Sequence, residues 1–306
     1  MNKAMMKRCL VVGAFAVLGA LPLGVYAQSQ QYHVAACDWM MLKRQKIGEF
    51  SLAKDIGADG IEMDMGPLGQ RPMFDNKLRD KHFQQLFRHT ADSLGIKVHS
   101  MAMSGFFAQS LLKRENYLEL IGDCLQSMEV MGAKVAFLPL GGSGQEWKQE
   151  ATAEHAEMVK RLRNIGDRAL GAGKVVAIRT GLDASRSLRL LKAVGSSGIR
   201  IYYNLQDAVD QGLDPCKELQ MLGAGNIAQI HASLTDSVTL DEDPRIDLRQ
   251  VKHTLDSMGW SGWLVVERSR NAQDVRNVRG NFGRNVAYLK EIFQGERKKT
   301  DNNKSN

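Results

Sequence analysis

Gly173-Lys174-Val175-Val176-Ala177-Ile178 is a glycine followed by a short β-branched run, and the same junction recurs along the whole chain. It reads Gly57-Ala58-Asp59-Gly60-Ile61-Glu62, Gly95-Ile96-Lys97-Val98-His99 and Gly132-Ala133-Lys134-Val135-Ala136-Phe137 before it. After it come Gly198-Ile199-Arg200-Ile201-Tyr202-Tyr203, Gly225-Asn226-Ile227-Ala228-Gln229-Ile230 and Gly262-Trp263-Leu264-Val265-Val266-Glu267. Glycine closes a helix because only it adopts the left-handed cap without strain, and an unbroken apolar run is a strand covered on both faces. With an opening strand around His33–Cys37, eight strands begin near residues 34, 60, 96, 134, 174, 199, 226 and 262.

The gaps between them carry helical spacing. Apolar residues recur at three and four over Phe83–Leu94, Leu118–Met131, Ala156–Leu170 and Ser187–Val194. Leu248, Val251, Leu255 and Met258 repeat the pattern, and Phe282–Phe293 supplies a last helix. Eight βα units with right-handed crossovers predict a single (β/α)8 TIM barrel. An open doubly wound sheet is the competing arrangement, but no glycine-rich nucleotide fingerprint follows the first strand.

The start of the chain follows a different logic. Lys3, Lys7 and Arg8 precede an apolar run from Cys9 to Tyr26, and Val25-Tyr26-Ala27 is a small-x-small cleavage pattern ahead of Gln28-Ser29-Gln30. Residues 1–27 therefore read as a secretory signal peptide, 28–294 as the barrel and 295–306 as a polar tail. A membrane anchor is the other reading of the run, and Pro22, the glycines and the Ala27 site argue for cleavage. The expected location is outside the cytoplasm, periplasmic or secreted, with no membrane attachment after cleavage. Hydrophobic residues at 43% and charged ones at 25% exclude wholesale disorder. The net charge of +7 is concentrated in the leader and in Arg297, Lys298, Lys299 and Lys304, which argues against a nucleic-acid partner. Cys37, Cys124 and Cys216 are odd in number and far apart, so buried free thiols are expected rather than a disulfide frame.

In such a barrel the chemistry sits at the C-terminal ends of the strands. The first three strands bring Asp38, Trp39, Glu62, Asp64 and His99 there, and a glycine-rich loop with Trp147 follows the fourth. The last four end in Arg179, Asn204, His231 and Glu267, which alternation places on the faces of Ala177, Tyr202, Gln229 and Val265. Four polar groups from consecutive strands converge at one mouth if those faces point inward. Arg179, Asn204, His99 and Glu62 are candidate substrate contacts, and Trp39 and Trp147 candidate platforms for a sugar face.

Ile230-His231-Ala232-Ser233, Arg245-Ile246-Asp247-Leu248 and Gly259-Trp260-Ser261-Gly262-Trp263-Leu264-Val265-Val266-Glu267, with Gly57–Glu62 as the second strand, resemble the xylose-isomerase-like TIM barrel superfamily. That superfamily holds sugar isomerases, sugar epimerases and the endonuclease IV group. The resemblance implies a divalent ion, Mn²⁺ or Mg²⁺, held by Glu, Asp, His and Glu at the ends of strands five to eight, with the two glutamates exchanging the proton beside a carbonyl. Only His231 and Glu267 match that ligand set, and they carry the implied catalytic roles. Asn204 stands at the Asp position, able to offer a neutral oxygen, and Arg179 stands at the first Glu. The four groups then sum to no net charge, and arginine neither ligates metals nor acts as a base. An Arg179–Glu267 ion pair in the metal's place is the expected outcome.

Two functions follow. One is an exported sugar isomerase or epimerase acting on a free sugar or sugar derivative by proton transfer, its activity compromised by Arg179. The alternative is a non-catalytic or metal-free carbohydrate-binding barrel. Both take a small-molecule carbohydrate as partner and leave homo-oligomerisation open. An abasic-site nuclease needs a multi-metal cluster that the strand ends do not supply.

Overall fold

The computed structural model describes residues 31–142 and 145–295; the expected leader, and the tail beyond Gly295, lie outside the described residues. The strands are β1 Tyr32–Cys37, β2 Gly60–Asp64, β3 Lys97–Ala102, β4 Val135–Pro139, β5 Val175–Arg179, β6 Ile199–Asn204, β7 Ile227–His231 and β8 Gly262–Val266. Between and after them run α1 Gly48–Asp55, α2 Lys81–Leu94, α3 Tyr117–Met131, α4 Ala153–Gly171, α5 Ala184–Val194, α6 Leu205–Asp210, α7 Pro215–Leu222, α8 Leu248–Ser257 and α9 Val278–Gln294. The sheet closes in sequence order from β1 to β8, and β8 pairs in parallel with β1. This is the (β/α)8 barrel that the junctions predict.

Two apolar layers hold it. Ala35, Cys37, Phe137, Ala177, Tyr202 and Val265 fill the barrel interior. Ile61, Met63, Leu138, Ile178 and Ile230 face outward against helix residues such as Phe87, Ile121, Leu162 and Leu190. The alternation assigned to Ala177, Tyr202 and Val265 is therefore the inner face.

The junction glycines divide into two kinds. Gly57, Gly95, Gly132 and Gly173 have positive φ, as helix-ending glycines should. Gly198 has another reason to be glycine: a Cβ there would stand 2.0 Å from the carbonyl oxygen of Gly166 on α4. That close approach packs α4 against the start of β6. The left-handed turn at this junction falls earlier, at Gly195.

Cys37, Cys124 and Cys216 are free and buried, as expected. Burial pushes the Cys37 and Cys124 thiols up, so neither is a ready nucleophile. Among the described residues no helix is long and apolar enough to cross a membrane.

Candidate functional site

Arg179, Asn204 and His231 are the last residues of β5, β6 and β7, and Glu267 follows β8 directly. Neighbouring strands bring the four together as their order predicts. Arg179 Nη1 donates to Glu267 Oε2 at 3.3 Å. Its stronger partner is one the strand ends do not reveal: Nε and Nη2 grip both oxygens of Asp207 at 2.9 and 2.6 Å. Burial works against this guanidinium's charge, but Asp207 and Glu267 outweigh it and hold its pKa above the ordinary arginine value. The expected Arg179–Glu267 pair exists, then, as the weaker half of a clamp on two carboxylates.

Asn204 does a different job from the one expected. Its Oδ1 accepts the backbone N–H of Asp207 and caps α6, which leaves its Nδ2 facing His231 Nδ1 at 3.5 Å. The neutral oxygen that could have served a cation is spent on the helix. The spacing Asn204-Leu205-Gln206-Asp207, a capping residue with an acid three positions later, is the signal that could have located Asp207.

Below the mouth lies Glu62, with no solvent exposure. Its Oε2 accepts Ser100 Oγ–H at 2.7 Å and the Tyr202 hydroxyl at 2.9 Å, while its Oε1 meets His231 Nε2 at 3.1 Å. His231 Nδ1 lies 3.7 Å from Glu267 Oε2, so a carboxylate, an imidazole and a carboxylate form one row through the barrel. Glu62 is thus a support for His231 rather than a surface contact. Trp39 stacks on Phe137 at 6.2 Å and sets its edge toward His231 at 6.4 Å, roofing the row. Trp147 is buried in the core, so it offers no face to a sugar. The exposed aromatic of the mouth is Phe107, with the Arg179 guanidinium 5.6 Å from its ring centre.

His99 corrects the expectation. It is the third residue of a six-residue strand that runs on to Ala102, so it sits toward the opposite end of the barrel. Its ring lies 4.2 Å from Trp263 at the start of β8, and its Nδ1–H donates to Ile61 O at 2.8 Å. A hollow of about 740 Å³ opens there beside His33, Lys97 and Trp263. Although larger, it faces the strand N-termini, where barrel enzymes build stability rather than chemistry. The hollow at the mouth measures about 270 Å³ and is lined by Phe107, Gly141, Lys148, Arg179, Gly181 and Asp207 among others.

Asp38 and Asp64, the first two strand-end acids, are structural. Asp38 accepts the backbone N–H groups of Gln45 and Asp64 at 2.9 and 3.0 Å, and Asp64 accepts those of Gly66 and Ser104 at 2.9 and 3.2 Å. Burial pushes Asp38 up to about 6 and Asp64 up to about 7. Burial also raises Glu49 well above the usual carboxyl range, with Asp38 beside it adding to the effect. Raised carboxyls contribute stability that is full near pH 4 and is lost as pH climbs through their folded values. His99, held low by burial, acts oppositely but only below its unfolded value of about 6.5. Stability is therefore expected to fall as pH rises from about 6.5 through 7, the raised value of Asp64, and on through that of Glu49. Glu49→Gln, which removes a buried carboxyl that must otherwise ionise beside Asp38, should flatten that fall and raise the pH 8 melting temperature. Thermal melts across this range check it; an unchanged slope in the variant would refute the assignment.

A model of the xylose isomerase-like TIM barrel family matches residues 50–292. The chain belongs to the xylose isomerase-like TIM barrel family. Solved structures agree on the fold. A xylose isomerase domain protein from Planctomyces limnophilus superposes with a TM-score of 0.63 at 15% identity, over 87% of this chain and 99% of that one. An L-ribulose 3-epimerase gives 0.68 at 14% identity, over 87% and 95% of the two chains. The probable 3-DHS dehydratase AsbF from Bacillus anthracis gives 0.64 at 14% identity, over 85% and 98%. No curated protein matches the chain.

The divalent ion implied for this family does not fit the residues present. Arg179 brings a cation to the first ligand position, and Asn204 has turned its oxygen to α6. His231 Nδ1 faces the Asn204 amide, and Glu267 is paired with Arg179. Among the described residues no group of three or more His, Cys, Asp or Glu side chains could hold a metal ion. A hard ion needs several oxygen ligands, and a fixed guanidinium repels it.

Proposed function

We propose that this chain is an exported barrel that binds a monosaccharide-sized carbohydrate at its mouth without a divalent ion. The observation that carries this reading is the Arg179 clamp: one guanidinium bridging Asp207 and Glu267 takes the place of a cation and orders the polar floor beneath a small hollow. The sugar epimerases among the structural neighbours supply the ligand class. Calorimetry with free hexoses and pentoses, in the presence of a chelator, tests it. Binding should survive the chelator and weaken about tenfold or more in Glu267→Gln, which frees one arm of the clamp. Binding equal to wild type in that variant, or none in either protein, defeats the reading. Export rests on residues 1–27, and a mature product starting at Gln28 is the result expected from N-terminal sequencing; retention of Met1 would reject it.

A second reading, proton transfer next to a carbonyl, has its own support in the Glu62–His231–Glu267 row. Glu267 would be the base, His231 and Glu62 would hold its proton network, and Arg179 would polarise the substrate oxygen. Isomer exchange by ¹H NMR, with chelator present, decides between turnover and binding alone.

A further inference from the structure

The mouth hollow holds an ammonium with no carboxylate bonded to it. Arg179 is fully committed, with Nε and Nη2 on Asp207 and Nη1 on Glu267. Lys148, on the same lining, makes no ion pair or side-chain hydrogen bond among the described residues. Its Nζ rides 5.8 Å from the Trp147 ring centre and passes Gly181 so closely that a Cβ there would stand 3.2 Å from it. Asp207 is the nearest carboxylate influence on it, but both Asp207 oxygens already accept from Arg179. Burial and the neighbouring Arg186 lower its pKa, so the fold carries a cost for holding it there. A half-buried ammonium without an acid partner is a place for an anion to arrive.

We propose that this hollow receives a sugar acid of the uronate or aldonate class, its carboxylate on Lys148 and its carbon skeleton against Phe107. The proposal rests on the carbohydrate-binding reading and narrows its ligand. The volume of about 270 Å³ suits a single sugar. Arg179 on its lining is already matched by Asp207 and Glu267, so Lys148 is the lining cation with no carboxylate bonded to it. A carboxylate monoanion meets that single ammonium; a phosphate dianion brings a second negative charge up to Asp207 and Glu267. Lys148 was not legible as a site residue because it follows the glycine-rich loop rather than a strand end.

The test is calorimetry on the purified protein with D-glucuronate, D-galacturonate, their neutral parent hexoses and glucose 6-phosphate. Uronates should bind at least about tenfold more tightly than the parent sugars, as a charge-assisted contact allows, and their affinity should fall with added salt. Lys148→Gln should collapse the difference between acid and neutral sugar without lowering its melting temperature. Equal affinity for uronates and neutral hexoses overturns the proposal and leaves the carbohydrate-binding reading standing. Preference for the phosphate overturns the carboxylate assignment. Absence of binding by every sugar overturns both.

Discussion

Arg179→Glu is expected to create a divalent-ion site where the wild type has none. The substitution removes the guanidinium and sets a third carboxylate beside Asp207 and Glu267, with His231 adjoining. At about 4 Å and an effective dielectric near 20, each pair of unit charges interacts by on the order of 4 kcal/mol, so replacing a cation by an anion reverses a large term. Without metal the variant should be less stable than wild type, because its carboxylates repel one another in a confined space. With Mn²⁺ at a hundredfold excess over its dissociation constant it should gain about 2.7 kcal/mol, a rise of roughly 5–10 °C in melting temperature. Wild type should show no such rise. Tight stoichiometric Mn²⁺ in the wild type would defeat the idea, since ligands other than the four strand-end groups would then be required.

Removing Glu62 should cost more stability than removing any mouth residue. Glu62→Ala leaves the Ser100 and Tyr202 hydroxyls and His231 Nε2 without their shared acceptor in a region closed to water. Leaving a buried donor without its acceptor costs about 1–3 kcal/mol each, so stranding three of them is a large share of a domain's total stability. Glu62→Gln should lose less, because its amide oxygen still accepts while its NH₂ opposes a donor. Denaturant midpoints measure both. Variants within error of wild type would mean that Glu62 is not the hub of the network. Loss of sugar binding in a Glu62→Gln protein that still folds would further show that the row acts on the mouth through His231.

These two expectations draw on different layers of information. Arg179, Asn204, His231 and Glu267 were legible as one group because strand periodicity and barrel order are local properties: each strand end is marked by its own apolar run. The eight strand starts follow for the same reason, and so does barrel closure, which needs only eight βα units of similar length. Family membership is legible in motifs such as Gly259–Glu267, which lie within single units.

Direction and partnership were not legible. Asp207 reaches Arg179 from the first turn of α6 because Asn204 caps that helix, and only the folded turn shows which atom of Asn204 faces the site. Strand ends also differ by a few residues from the ends of their apolar runs. β3 continues through Ser100, Met101 and Ala102, polar and sulfur-bearing residues that do not announce a strand, so His99 lies at the base and Ser100 becomes the residue near the acid. A register shift between Ile61 and Glu62 pairs Glu62 with Ser100, and another between Ile201 and Tyr202 sets Tyr202 beside Gln229. Such shifts come from the twist and closure of the whole sheet, which no local stretch encodes. Composition and periodicity determined that this chain would close into a barrel with these four residues at its mouth. Tertiary structure decided that Asp207 and Lys148 join them and that Glu62 lies beneath as the partner of His231, because side chains distant in sequence meet only once the strands are in register.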